Sequence, residues 1–149
     1  MTKKDTIERE LLLNAPREKV WAAITRAELI SQWFGSATRI ASLTVGQEIE
    51  FEWSEHSHTS RAIIAAVEPM TRFAYRWEHG QVDFSKPIRE ETLTLVTFTL
   101  EDAGSGTRLK LTETGFAALP AGVGSYEENY SGWIHELNEL QEFLNKETA

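Results

Sequence analysis

The sequence predicts an α+β fold on three observations: a pair of short helices near the start, a long central run alternating apolar with polar residues, and one C-terminal helix with a narrow apolar stripe. In this order of elements the sheet needs a cover for its apolar face, and the C-terminal helix is the cover available.

"TIERELLLNAP" alternates as an opening strand does, and Asn14 with Pro16 then offers a cap and a first-turn proline for a helix. Val20, Trp21 and Ile24 are spaced for a short helix, and "AELISQWFG" reads as a second, ended by Gly35. In "GQEIEFEWSE" the residues Ile49, Phe51 and Trp53 alternate with Glu48, Glu50 and Glu52, as in a half-buried antiparallel strand. "TSRAIIAAVEP", "RFAYRWE" and "ETLTLVTFTLED" continue the series, and "AGSG" turns into "TRLKLTETGF" as a hairpin. These segments make about six strands with the first. Pro69 ends one strand, and "HGQVDFSKPI" is a longer polar loop.

The last segment predicts a helix from Ser125 to about Lys146, with Ser125 as N-cap and Glu128 completing a capping box. At about 100° per residue, Tyr126, Tyr130, Trp133, Leu137, Leu140 and Leu144 fall in one stripe, with His135 opposite. Gly132 lies on the flank, with Asn129, Glu136 and Phe143. A glycine inside a helix costs roughly 1 kcal/mol relative to alanine. Either a neighbouring element presses close there or space is left beside the helix, and close packing is the expected reason.

The 149 residues, 41% of them hydrophobic, suit one domain spanning residues 1–149 with a real core. A formal charge of −8 repels phosphate backbones and anionic lipid heads, which argues against nucleic acid as partner. The chain has no cysteine, which excludes disulfides, thiol nucleophiles and cysteine-held metals. Neither a signal-type apolar segment nor a run long enough for membrane insertion is present, so the reading is soluble and cytoplasmic.

"LNAPREKVWAAITRAELISQWFG", "VTFTLEDAGSGTRLKLTETGF" and "GWIHELNELQEFL" resemble, in order and spacing, the family named for the activator of heat shock protein 90 ATPase, in the START-like (SRPBCC) superfamily. The likeness covers nearly the whole chain. It implies a helix-grip fold, a curved antiparallel sheet wrapped around the long C-terminal helix, often with a deep apolar cavity between them. Superfamily relatives include lipid carriers, hormone receptors and polyketide cyclases, so the fold alone fixes function weakly. Activators of the chaperone carry a further N-terminal domain, whereas the first strand here begins within about ten residues of Met1, so the family name is not taken as the activity.

Phe51, Trp53, Phe73, Tyr75 and Trp77 share strand registers, and Trp33, Tyr130 and Trp133 come from helices that would face them. Such rings either fill a core or wall a pocket for a flat or aliphatic ligand. On the hairpin strand Leu109, Leu111 and Glu113 share one face, which would put a carboxylate at the mouth of a cavity. There, desolvation would raise its pKa and suit it to act as a general base or to anchor a ligand donor. Arg61, of the same parity as Ile63 and Val67, is a candidate partner for it; a plain salt bridge at the sheet end and a solvent-facing carboxylate are the alternatives. His56 and His58 form an H-x-H pair without an evident third ligand, so no metal site is expected. Nucleotide, hydrolase and zincin motifs are missing from the sequence, and no cofactor is called for.

The favoured reading is a small-molecule binding protein for a hydrophobic, lipid-like or aromatic ligand, lined by Trp33, Phe51, Trp53, Arg61, Tyr75, Trp77, Glu113, Tyr130, Trp133 and Leu137. The loop at 119–124 would gate the cavity. The alternatives are a co-chaperone-like module with a chaperone partner, and a cyclase or dehydratase with Glu113 as the catalytic residue. Monomer and homodimer both remain open.

Overall fold

The computed structural model describes residues 4–56, 58–80 and 82–148, and only the backbone of residues 56, 147 and 148. In chain order its elements are β1 (Thr6–Leu13), α1 (Arg17–Thr25), α2 (Ala27–Ile30), β2 (Ala37–Ile40), β3 (Glu48–Trp53), β4 (His58–Glu68), β5 (Arg72–Glu78), β6 (Leu93–Ala103), β7 (Gly106–Thr114) and α3 (Tyr126–Thr148). The strands form one antiparallel, curved, open sheet in the order β1-β7-β6-β5-β4-β3-β2, with α3 across it, which is the helix-grip α+β fold. The sheet has seven strands rather than about six. The extra one is β2, whose four residues "ATRI" are too few to display a period.

Period-2 alternation decides which side chains meet α3. Ile49 and Phe51 of β3, Phe73 and Tyr75 of β5, Val96, Phe98 and Leu100 of β6, and Leu109 and Leu111 of β7 are all buried in one core. From α3 the stripe residues Trp133, Leu137, Leu140 and Leu144 enter the same core, while His135 faces water. Tyr126 and Tyr130, at the start of the stripe, are half-buried. The Glu128 N–H donates to Ser125 Oγ at 3.2 Å, the N-cap bond the sequence predicts. At α1 the cap position falls to Pro16, whose carbonyl accepts from Lys19 and Val20, with no side-chain cap bond at that residue.

β4 departs from simple alternation. Ser60, Ala62 and Ile64 face the core, and the register shifts between Ile64 and Ala66, so that Val67 faces the core as well. A bulge of this kind inverts parity on its far side. Val67 is therefore no guide to the direction of Arg61, which lies on the outer face of the sheet.

Candidate functional site

A cavity of about 650 Å³ opens between the sheet and the first half of α3. Phe34, Trp53, Trp77 and Trp133 supply its rings, and Glu128, Asn129, Gly132 and Glu136 of α3 with His58 of β4 supply the rest of the lining. Each position follows from local structure. Trp53 and Trp77 continue the inward parity of β3 and β5. Phe34 is brought in where the chain leaves α2, its amide donating to the Ile30 carbonyl just before Gly35 adopts φ +69°. Asn129, Gly132 and Glu136 are the flank of α3 beside the apolar stripe.

The rings are in mutual contact. Phe34 stacks on Trp133 at 5.4 Å between centroids, Trp77 meets Trp133 at 5.8 Å and 71°, and Trp53 lies 6.5 Å from Trp77. A second cavity, of about 430 Å³, shares His58, Trp77, Glu128 and Asn129 with the first and extends to His79, Gly122 and Gly124. A Cβ on Gly132 would meet no atom within 4 Å beyond its chain neighbours and its own helix backbone. The expectation of close packing at this glycine is thus corrected: the missing side chain borders open cavity.

Beneath the cavity lies Glu113, fully buried with Leu109 and Leu111 as parity predicts. Its partner is not Arg61. The Trp133 indole donates to Oε1 at 2.8 Å, Thr94 Oγ1 donates to Oε2 at 2.6 Å, and Asn129 Nδ2 lies 3.0 and 3.2 Å from the two oxygens. His79 Nε2 is 3.2 Å from Oε2 and 2.8 Å from Thr94 Oγ1. A carboxylate offers about four lone-pair sites, and four side chains occupy them here. Asn129 and Trp133 also line the cavity, so the Glu113 cluster fixes two of its walls.

Arg61 pairs instead with Glu78, Nε to Oε1 at 2.7 Å and Nη2 to Oε2 at 3.2 Å, both side chains being buried. Ala62 pairs with Trp77 across β4 and β5, so their neighbours Arg61 and Glu78 meet on the opposite face of the sheet. Phe84 covers the guanidinium at 5.4 Å. Hydrogen bonding to Glu78 raises the Arg61 pKa against the cost of burial, which keeps the guanidinium charged.

Of the other residues expected at the ligand, Phe51, Tyr75 and Leu137 are core residues behind the cavity wall. Burial, aided by the negative charges of Glu113 and Glu136, pushes the Tyr75 phenol well up, so it stays neutral. The Trp33 indole donates to the Ala23 carbonyl at 2.8 Å and edges a polar groove that adjoins the cavity at Trp53 and Glu136. Tyr130 turns toward Arg9, whose Nη1 lies 3.5 Å from its hydroxyl. Leu119, the first residue of the loop expected to gate the cavity, is buried. The H-x-H pair is not placed on one strand: His58 opens β4 beside Trp53, whereas His56 is in a 3-10 turn and its side chain lies outside the described residues. Among the described residues no group of three or more His, Asp or Glu side chains could hold a metal ion.

Sequence reasoning did not assign Phe34, Asn129, Glu136, His79 or Thr94 to the site, and it considered His58 only as a metal ligand. One signal was present for His79: it continues the inward series Phe73, Tyr75, Trp77 by one more step. Glu136 sits half-buried at the rim of the cavity, on the flank of α3. Burial holds its carboxyl above the ordinary value of 4.5, opposed by the nearby His135 and by the Trp53 and Gly35 N–H groups.

Several solved structures share this architecture. A Mesorhizobium loti protein superposes with a TM-score of 0.76 at 24% identity, over 95% of this chain and 97% of that one. The Aha1 dimer from Colwellia psychrerythraea gives 0.72 at 18% identity, over 95% and 96%. CalU16 from Micromonospora echinospora gives 0.68 at 22% identity, over 96% and 78%. At such identities the likeness is one of fold. No curated protein matches the chain. The model of the family described as "Activator of Hsp90 ATPase homolog 1-like protein" matches residues 14–145, nearly the whole of the described structure, and the chain belongs to that family.

Proposed function

We propose that the protein binds a small hydrophobic or aromatic molecule in the cavity between β3–β5 and the first half of α3. The observation that carries this reading is an aromatic-walled space of about 650 Å³ that the protein's own side chains leave unfilled, with a glycine on α3 at its edge. A ligand there gains about 25 cal/mol for each Å² of apolar surface it buries, and cavities of this size and lining are the usual form of a small-molecule site. Direct proton transfer by Glu113 is disfavoured, because its oxygens are already engaged by Thr94, His79, Asn129 and Trp133. Engagement of a chaperone, which the family description names, rests on that description, and pairing of two copies rests on the Colwellia relative's dimer.

The test is a titration of a library of aromatic and lipid-like compounds followed by tryptophan fluorescence, because Trp53, Trp77 and Trp133 all border the cavity. Saturable quenching that disappears in folded Gly132→Leu, whose side chain would enter the cavity, supports the proposal. Quenching that is unchanged in that variant, or no binder at all, refutes it.

A further inference from the structure

The lining carries chemistry that hydrophobicity alone does not describe. Three indoles and one phenyl ring wall the main cavity, and the rings of Trp77 and Trp133 cross at 71°, so the wall bends around a corner. The ionisable side chains on that lining are Glu128, Glu136 and His58. In the adjoining cavity Glu78 is neutralised by Arg61 on the far side of the sheet. Among the described residues bordering the two cavities there is no lysine or arginine. An anionic or phosphorylated ligand would therefore meet negative charge with no counter-ion supplied.

Glu136 and Glu113 differ in what they have left to offer. Glu113 is saturated, as described above. Glu136 borders the cavity directly and shares none of the four donors that engage Glu113, so acceptor capacity remains on its carboxylate. Its charge is half-buried beside indole faces, whose quadrupole attracts cations. The formal net charge of the whole chain, −8, adds attraction at long range.

We infer that the cavity selects a lipophilic organic cation, a quaternary or protonated amine carrying an apolar or aromatic body, with its charged head between the tryptophans and Glu136. This rests on the reading of the cavity as a ligand site and adds the sign of the ligand's charge. The apolar body occupies the ring-lined wall, and the ammonium replaces a counter-ion that the lining does not provide.

The experiment titrates the protein at pH 8 with benzyltrimethylammonium, with its uncharged carbon isostere neopentylbenzene, and with benzenesulfonate, by tryptophan fluorescence and calorimetry in matched solvent. The expected result is a Kd for the cation at least tenfold below that of the isostere, the sulfonate weakest of the three, and a cation affinity that falls as salt is raised. Glu136→Gln, with folding checked by near-ultraviolet circular dichroism, lowers the ratio of cation to isostere affinity at least fivefold. Glu128→Gln, an exposed position, gives a smaller drop in the same direction. If the isostere or the sulfonate binds as well as the cation, the charge inference is overturned while the ligand site stands. If none of the three binds at millimolar concentration and the compound library also fails, both are overturned.

Discussion

Gly132→Ala tests whether the opening beside α3 is real. In the wild-type helix the glycine costs roughly 1 kcal/mol relative to alanine, through backbone freedom lost on folding. The added methyl meets no atom of any other element within 4 Å, so no steric cost from packing offsets that gain. Unfolding entropy of about 2 cal/mol/K per residue, summed over 149 residues, converts 1 kcal/mol into a rise in Tm of about 3 °C. The assay is thermal unfolding followed by far-ultraviolet circular dichroism, paired with the ligand titration. Alanine raises Tm and weakens the ligand slightly, and Gly132→Leu keeps the fold while abolishing binding. A fall in Tm for Gly132→Ala would mean that something does press on the helix there, and the reasoning from empty space would be refuted.

Glu113→Gln places an amide where donors converge, and loses about 2–4 kcal/mol of stability in urea unfolding; a loss below 0.5 kcal/mol would mean the cluster is not a structural tie. Arg61→Met leaves Glu78 buried without its partner and costs about 3–5 kcal/mol, most of which returns in the double variant Arg61→Met/Glu78→Leu. No recovery in the double variant would contradict desolvation as the source of the cost. For Glu136 burial raises the folded-state pKa above 4.5, so its stabilising contribution is fully present below that pH and is lost as pH rises through the raised value. Glu136→Gln therefore has a higher Tm than wild type at neutral pH, the gap closing as pH falls to about 4.5; a gap independent of pH would count against burial of the charge.

Most of the fold was legible because it rests on long periodic segments. The stripe of α3 and the faces of β3, β5, β6 and β7 can be read by counting, and the structure places Trp133, Phe51, Tyr75 and Leu111 in the core as counted. What could not be counted was local geometry. The β4 bulge cancels the argument that tied Arg61 to Val67, and nothing in "SRAIIAAVE" marks where the extra residue falls. β2 has no period to show. At the site, Trp53, Trp77 and Trp133 were named because large rings stand out on a face, whereas Asn129 and Thr94 are common polar residues whose meaning appears only when Glu113 is brought beneath them. The loop-borne Phe34 is fixed by the turn after α2, and no period in the sequence reaches it.

The two acids of the site show how one residue type takes two roles. Glu113 is deeper, yet its oxygens are satisfied by Trp133, Asn129, Thr94 and His79, so its charge is spent inside the protein. These bonds tie α3 to β6 and to the end of β5 at a point where the flank of α3 leaves the cavity open. A polar tie at this place holds the helix without filling the space, which apolar side chains of the same reach would do. Glu136 is shallower and shares none of those donors, so its charge remains available to whatever enters. On this argument depth of burial is the wrong criterion for choosing the functional carboxylate. Unused acceptor capacity facing an open cavity is the better one, and it moves the choice from Glu113 to Glu136.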